Sequence, residues 1–181
     1  MDLGRYRHLV QFYGSQDGTL IRNVADFIDE GLQLGESVLA IATPEHCDAV
    51  LAALSNRRGL HMRSRQLVVL DAQATLDQLM PDGALDWRRF EQIAGGMIRS
   101  LRRANPRGGL RAYGEMVGML WSDGQIEAAV QLEKFWNALL GSTEFTLFCG
   151  YAIDVASEEF QSEHVREVVR AHTHVIPSSA A

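Results

Sequence analysis

A continuous apolar run, Ser37–Thr43 (SVLAIAT), constrains the fold of this chain more than any other segment. A strand that is apolar at successive residues must be covered on both faces, because neighbouring side chains point to opposite sides of a sheet. Pro44 follows directly, at the first-turn position of a helix where its missing N–H costs nothing, and Thr43 is a natural N-cap. The segment therefore predicts a buried parallel strand that leads into a helix.

Strand-like and helix-like patterns alternate along the whole chain. The predicted strands are His8–Tyr13, Ser37–Thr43, Gln66–Asp71, Arg111–Trp121 and Glu144–Ala152, with Thr173–Ile176 as a further edge strand. The predicted helices are Thr19–Leu34, ended by Gly31 and Gly35, then Pro44–Asn56, Ala74–Met80, Asp86–Ala104, Gln125–Leu140 and Ser157–Ala171, capped by Ser157. This alternation predicts a three-layer α/β fold, with a mostly parallel sheet between helices. One domain is expected over residues 1–177, with a disordered tail at 178–181.

Length and composition exclude several classes of protein. A chain of 181 residues is one ordinary domain, and its net charge of -6 argues against a nucleic-acid-binding surface. No run of about 18 apolar residues predicts a membrane span, and the N-terminus has no run of signal-peptide type. Cys47 and Cys149 lack CxxC spacing and are expected to be reduced in the interior. We therefore expect a cytoplasmic protein with no direct contact to nucleic acid or membrane.

Residues at the strand ends are the first candidates for a site, since open parallel sheets bind ligands beyond the carboxyl ends of their strands. They are Tyr13, Thr43, Asp71, Glu115 and Tyr151. Glu115 is the most informative, because a carboxylate within the apolar RAYGEMVGMLW segment is costly to bury without a partner. Glu133 is a second such carboxylate, since at about 100° per residue it falls within the apolar arc of its helix.

Two interpretations of Glu115 remain open. In the structural one, N–H groups or an arginine satisfy the Glu115 carboxylate, and Arg111 on the same strand is the obvious arginine partner. In the functional one, Glu115 and Glu133 line a single polar ligand pocket. The apolar walls of that pocket would be Tyr13, Trp121 and Tyr151. No nucleophile or substrate group accompanies the carboxylates, so no catalytic residue is assigned.

The first βα turn, Tyr13–Thr19, lies where a nucleotide-binding P-loop would lie, but its pattern differs from GxxxxGK[ST]. The spacing from Gly14 to Gly18 is one residue short, no lysine follows, and Asp17 would repel phosphate. Lys134, the only lysine, belongs to a predicted helix surface. Hydrolysis of the P-loop type is therefore not expected, whereas nucleotide binding without hydrolysis stays open.

The histidines and Cys149 are the remaining candidates. His46 is expected to be neutral, because it lies in the first turn of a helix whose dipole disfavours a cation. A metal site could combine Cys149 with His8, His46, His172 and His174. Neither an HExxH nor a paired-cysteine motif supports it, so neither metal nor cofactor is predicted. A Cys149–His nucleophilic pair is disfavoured, since Cys149 lies in the middle of a predicted core strand.

Seven segments follow one another in an order typical of a known family. They are HLVQFYG, GLQLGESVLAIATPEH, LDAQATLDQLM, RAYGEMVGMLW, AVQLEKFWN, FCGYAID and AHTHVIP. This series, over about residues 7–177, resembles the MEDS family, the methanogen/methylotroph sensory domain of the DcmR type. The resemblance implies a RecA/KaiC-like α/β fold without a functional P-loop. It also implies a role in sensing small molecules, proposed to include hydrocarbon derivatives.

The resemblance implies recurring polar and aromatic positions but no catalytic assignment. The matching positions are His8, Tyr13, His46, Asp71, Glu115, Trp121, Glu133, Cys149, Tyr151 and His172. Together with the strand-end residues, they give the predicted ligand-binding set. That set is Tyr13, Thr43, His46, Asp71, Glu115, Trp121, Glu133, Cys149, Tyr151 and His172.

Relatives often carry a histidine kinase or another signalling module after this domain, whereas the present sequence contains neither a kinase core nor a helix-turn-helix before residue 7. A stand-alone sensor is therefore expected to bind a small organic ligand and to act through a partner, such as a histidine kinase or regulator, or through homo-oligomerisation. Two other classes stay open. One is a ligand-free interaction module of a kinase or sigma-factor system. The other is an enzyme, either a degenerate RecA-like nucleotide-binding protein or hydrolase, or a redox protein using Cys149.

Overall fold

The strands form one sheet in a computed structural model that describes residues 7–14, 17–55 and 66–177. The strands are β1 (His8–Phe12), β2 (Ser37–Ala42), β3 (Leu67–Asp71), β4 (Leu110–Gly114), β5 (Thr146–Tyr151) and β6 (His174–Ile176). Their order is β3-β2-β4-β5-β1-β6, and every neighbouring pair is parallel. The three-layer α/β class is thus confirmed, and the predicted edge strand at the end of the chain pairs with β1.

Helices cover both faces of the sheet. They are α1 (Gly18–Gln33), α2 (Pro44–Ser55), α3 (Ala72–Leu79), α4 (Trp87–Phe90), α5 (Gly96–Ala104), α6 (Met116–Ser122), α7 (Ile126–Ser142) and α8 (Glu163–Ala171). A π-helical turn, Glu91–Gly95, joins α4 to α5, and a 3₁₀ turn, Glu159–Gln161, precedes α8. Among the described residues, no helix combines the length and the apolar character that crossing a bilayer would require.

The apolar core is divided in two by the sheet. Helices α1 and α2 pack on one face, and the remaining helices pack on the other. Along β2, Val38 and Ala40 belong to the first core, whereas Leu39 and Ile41 belong to the second. This alternation explains why the Ser37–Thr43 run is apolar at nearly every position, as a strand with two covered faces requires.

The largest error in the predicted elements concerns Arg111–Trp121, which is not one strand. Strand β4 ends at Gly114, and α6 begins at Met116, with Met119 N–H donating to the Glu115 carbonyl at 2.9 Å. Helix α6 is buried almost throughout, so its sequence is as apolar as that of a covered strand. Hydrophobic periodicity does not distinguish a short buried helix from a buried strand.

Smaller corrections concern helix ends. Gly31 lies inside α1, where a Cβ would approach the Arg111 side chain, and Gly35 with a φ of 76° follows the helix. Ser162 caps α8, accepting a hydrogen bond from Val165 N–H at 3.3 Å, whereas the predicted cap Ser157 precedes the 3₁₀ turn. The predicted end of α2 at residue 56 and the tail at 178–181 lie outside the described residues.

Candidate functional site

The carboxyl edge of the sheet contains a cleft of about 200 Å³. Its walls come from the ends of β1, β2 and β4 and from helices α2, α3 and α6. The lining residues are Tyr13, Thr43, His46, Gln73, Glu115, Gly118, Met119, Ser122 and Asp123. This is the edge at which open parallel α/β sheets bind their ligands.

Glu115 is held in the cleft by three hydrogen-bond donors. Thr43 N–H donates to Oε2 at 2.9 Å, and the Tyr113 hydroxyl donates to Oε1 at 2.7 Å. The third donor is His46 Nδ1, at 2.6 Å from Oε1. The Glu115 backbone N–H donates in turn to the Ile41 carbonyl at 3.0 Å, which continues the β2–β4 ladder past the end of β4. The carboxylate therefore has a fixed position although it is almost fully buried.

Arg111 does not form the expected ion pair with Glu115. Its side chain contacts Glu36 and lies 2.7 Å from Glu30 Oε2, at the amino end of β4. Residues four apart on a strand share a face but are separated by roughly 13 Å along it. The two side chains therefore lie at opposite ends of the strand. The partners of Glu115 come from the residue between β2 and α2, from α2 and from β4 itself.

His46 bridges two carboxylates. Its Nδ1 faces Glu115, and its Nε2 lies 3.1 Å from Asp17 Oδ2. In its protonated form, the His46 ring can donate one hydrogen bond to each of these carboxylates. The hydrogen bond to Glu115 raises the pKa of His46, burial opposes this in part, and Asp17 adds to it. The two carboxylates thus favour the protonated form of His46, whereas the α2 dipole considered alone favours the neutral form.

The pH dependence of stability should report this bridge. The pKa of His46 is higher in the folded protein than in the unfolded chain, where it is about 6.5. Protonated His46 therefore stabilises the fold fully below about pH 6.5, and this stabilisation is lost as the pH rises through the folded-state pKa. We expect the free energy of unfolding, measured in urea between about pH 6 and 9, to fall more steeply for the wild type than for His46→Gln. His164→Gln, an exposed histidine on α8, is the matched control and should keep the wild-type slope. Equal slopes for wild type and His46→Gln would contradict the assignment.

A second polar group is buried on the other face of the sheet. We call His8, Glu133, Cys149 and His172 the histidine cluster. His8 Nε2 lies 3.3 Å from Glu133 Oε2 and 3.5 Å from Cys149 Sγ, and His172 Nε2 lies 3.5 Å from Glu133 Oε1. The Tyr151 hydroxyl donates to Glu133 Oε1 at 2.7 Å. The expected inward orientation of Glu133 is confirmed, since its side chain is 2% exposed.

Burial dominates the chemistry of the histidine cluster. It lowers the pKa of His172 to about 4, so this imidazole is neutral near pH 7. It also raises the pKa of the Cys149 thiol well above its usual value, and the nearby Glu133 carboxylate adds to this effect. A buried thiol of raised pKa is a poor nucleophile. The geometry thus gives no support to catalysis by Cys149, despite its contact with His8.

Comparison with known families gives one match, and it covers both sites. The family model described as MEDS, MEthanogen/methylotroph, DcmR Sensory domain, matches residues 7–173. This chain belongs to the MEDS family. The matched range includes the whole cleft and all four residues of the histidine cluster. Comparison with curated proteins finds no significant match. Membership of the MEDS family indicates a sensory or signalling role.

The structure divides the ten predicted ligand-binding residues of this MEDS domain into three groups. The residues that line the cleft are Tyr13, Thr43, His46 and Glu115. Those in or against the histidine cluster are Glu133, Cys149, Tyr151 and His172. Asp71 instead caps α3 by accepting from Ala74 N–H at 2.7 Å, and Trp121 packs edge-on against Tyr151 at 5.7 Å. Glu115 and Glu133 are therefore not brought into one pocket.

Several residues of the cleft, and two hydrogen-bond partners of Glu115 and His46, were not predicted. Tyr113 lies two residues before Glu115 on β4, so the period of a strand already places both on one face. Asp17 was considered only as a charge that repels phosphate, whereas it is the second partner of His46. Met119 and Ser122 were missed because α6 was predicted as part of a strand.

Proposed function

We propose that this MEDS domain is a sensory module that binds a small organic ligand in the carboxyl-edge cleft and regulates a partner protein. The proposal is based mainly on the environment of Glu115. Three hydrogen bonds fix its carboxylate at the wall of an open cleft. A preorganised polar group beside open space is typical of a ligand site. The volume of about 200 Å³ favours a ligand smaller than drug size.

The charges in the cleft favour a neutral or cationic ligand that can donate hydrogen bonds. Glu115 and Asp123 contribute carboxylates, and both ring nitrogens of His46 are already engaged by Glu115 and Asp17. Anionic groups would meet like charge there. Nucleotides and other phosphates are therefore disfavoured, which argues against a degenerate nucleotide hydrolase. The side chain of Met119 offers an apolar surface beside these groups.

Helix α6 is the element best placed to pass a signal from the cleft. It follows Glu115 directly, it contributes Met119 and Ser122 to the cleft, and it is packed against α7. A ligand that binds one position of α6 more tightly than another shifts the populations of the two positions. Such a shift would alter the surface that a partner protein recognises.

A ligand-free interaction module is the second candidate function and has less support. It would combine a closed carboxyl edge with one large exposed apolar patch. The exposed large apolar side chains of the described residues are Leu34, Val69, Trp87, Val155 and Val175. They lie on different elements, and Val69 and Val175 lie on the two opposite edge strands. The open cleft at the carboxyl edge favours ligand binding instead.

Ligand binding can be tested by NMR on the full chain. Short alcohols, amines and carboxylates would be titrated separately while the amide of Thr43, which donates to Glu115, is followed. We expect amines or alcohols to shift this amide and carboxylates to leave it unchanged. Glu115→Gln should weaken the binding of an amine by at least about tenfold, because it removes a charge-assisted contact. Glu91→Gln, a half-exposed carboxylate on the π-helical turn, is the matched control and should bind as the wild type does.

Two results would count against the proposal. One is the absence of shifts at cleft residues with every member of the panel, which would favour the ligand-free interaction module. The other is unchanged affinity in a correctly folded Glu115→Gln protein, which would remove Glu115 from the site. Native mass spectrometry of the freshly purified chain would also detect a ligand retained from the cell.

A further inference from the structure

The histidine cluster is a group of metal-ligand side chains that the proposed sensory cleft does not use. Its residues come from four separate places: His8 from β1, Glu133 from α7, Cys149 from β5 and His172 from the end of α8. One ligand atom from each lies within 4.8 Å of every other. From this geometry we infer that the cluster binds one divalent zinc-type ion.

The separations in the cluster are close to those of a tetrahedral metal site. Zinc bonds of about 2.0 Å to nitrogen or oxygen and 2.3 Å to sulfur place neighbouring ligand atoms about 3.3 to 3.6 Å apart. His8 Nε2 lies 3.3 Å from Glu133 Oε2 and 3.5 Å from Cys149 Sγ. His172 Nε2 lies 3.5 Å from the other carboxylate oxygen, Glu133 Oε1, and all four ligand atoms lie within 4.8 Å of one another. Small rotations of the side chains would bring the four atoms onto one ion.

The outer hydrogen bonds orient both histidines for metal binding. His172 Nδ1 lies 2.6 Å from the Val168 carbonyl, and His8 Nδ1 lies 3.2 Å from the Ala171 carbonyl. A carbonyl only accepts, so each Nδ1 carries a proton. Nε2 is then the atom of each ring that faces the cluster and can bind a metal, and an ion there would displace any proton that His8 Nε2 shares with Glu133 Oε2. Metal-ligating histidines are held in this way in proteins. Asn137 supports the same tautomer, with Oδ1 at 3.1 Å from His8 Nδ1.

Two buried side-chain atoms of the cluster make no hydrogen bond of acceptable geometry with the described residues, although each has a charged or polar neighbour within 3.5 Å. They are Glu133 Oε2 and His172 Nε2. The Tyr151 hydroxyl donates to Glu133 Oε1, whereas Glu133 Oε2 is the oxygen that faces His8. Buried acceptors without a hydrogen bond are unfavourable, and a cation between them would remove that cost.

The charges of the proposed site balance. Zinc binding displaces the proton of the Cys149 thiol to solvent, and the resulting thiolate and the Glu133 carboxylate neutralise the two charges of the ion. Both imidazoles bind in their neutral form. Four protein ligands fill the tetrahedron, so the site has no open position for substrate, as in structural zinc sites. The ion would fasten the end of α8 and the following edge strand β6 to the centre of the sheet.

The site can be tested with Zn²⁺ and Co²⁺ alone on the full chain. Protein purified without chelator should contain about one zinc per chain by elemental analysis, and replacement by Co²⁺ should give visible d–d bands with a near-ultraviolet thiolate charge-transfer band. We expect Cys149→Ser to remove that charge-transfer band. Asn137→Ala should keep the band but weaken Co²⁺ binding by about 10- to 100-fold, because it loosens His8 without removing a ligand.

Two control variants separate this inference from the proposed ligand cleft. Cys47→Ser alters the other cysteine, a half-buried thiol on α2, and His46→Gln alters the cleft. Both should leave the metal content and the Co²⁺ spectrum unchanged. A folded wild-type protein with no zinc and no Co²⁺ charge-transfer band would overturn the inference, as would loss of the band in Cys47→Ser. Neither result would bear on ligand binding at Glu115.

Discussion

Replacing Arg111 with methionine is expected to lower the free energy of unfolding by about 3 kcal/mol. Arg111 is among the largest fully buried side chains of the domain. Its guanidinium contacts Glu36, lies 2.7 Å from Glu30 Oε2 and donates to the Phe27 carbonyl at 3.2 Å. It also lies over the Phe27 ring at 5.1 Å, an arrangement that favours a cation.

The expected cost arises because the variant breaks a buried network instead of replacing all of it. Removing one partner of a buried ion pair costs about 3–5 kcal/mol, since the other charge loses its compensation. Glu30 and Glu36 are partly exposed, so water can reach their carboxylates in Arg111→Met. The expected loss of stability is therefore at the lower end of that range. Methionine retains much of the apolar contact that the arginine stem makes with α1.

Urea unfolding of Arg111→Met and a matched surface variant would check this value. Arg99→Met removes an arginine whose side chain is 40% exposed and pairs with Glu91. Exposed ion pairs contribute about 0–1 kcal/mol, so this control should change stability little. If both variants lost the same free energy, the buried network at the amino end of β4 would have no special role in stability.

The elements that the sequence predicted well are those with a local chemical marker at each end. Pro44 begins α2, and Gly35 with its positive φ follows α1, as each residue type favours. The RAYGEMVGMLW segment has no such marker, and its helical half is too short and too buried to show a polar face.

The order of the strands in the sheet could not be predicted from the sequence, for a different reason. Each is a similar apolar run, so nothing local states which neighbours pair.

The candidate site was predicted in part, because the rule for open parallel sheets depends only on where strands end. That rule located Tyr13, Thr43 and Glu115 at the cleft. It could not separate Glu133 from Glu115, since periodicity shows that a helix has a buried face but not which side of the sheet receives it. The histidine cluster shows the same limit, because its ligands come from four separate places in the fold and form no linear motif.

Gly118 lies on α6, packs against the backbone of β5 and lines the cleft. Replacing it with alanine is expected to lower the free energy of unfolding by about 3 kcal/mol. A Cβ at this position would lie 2.3 Å from the Gly150 carbonyl oxygen and 3.3 Å from Tyr151 Cα. Both are backbone atoms of β5, so no side-chain rotation can relieve the contact. Helix α6 would have to move away from β5 by roughly 1 Å to restore an ordinary carbon–oxygen separation.

Gly96→Ala is the matched control for this prediction. Gly96 is also helical, but a Cβ there would have no neighbour within 4 Å. Alanine should stabilise the helix at that position by up to about 1 kcal/mol, because it restricts the unfolded chain. Urea unfolding of the two variants would then give changes of opposite sign. Similar stabilities would contradict the close approach of α6 to β5.

The same substitution tests whether the position of α6 controls the cleft. Moving α6 would displace Met119 and Ser122, whereas Glu115 would stay in place through its bonds to Thr43 and Tyr113. In protein that remains folded, we therefore expect Gly118→Ala to weaken amine binding, with the Thr43 amide as the reporter, while Gly96→Ala binds as the wild type does. Weaker binding without loss of the Glu115 network would identify α6 as the movable wall of the cleft, which the proposed sensory role requires.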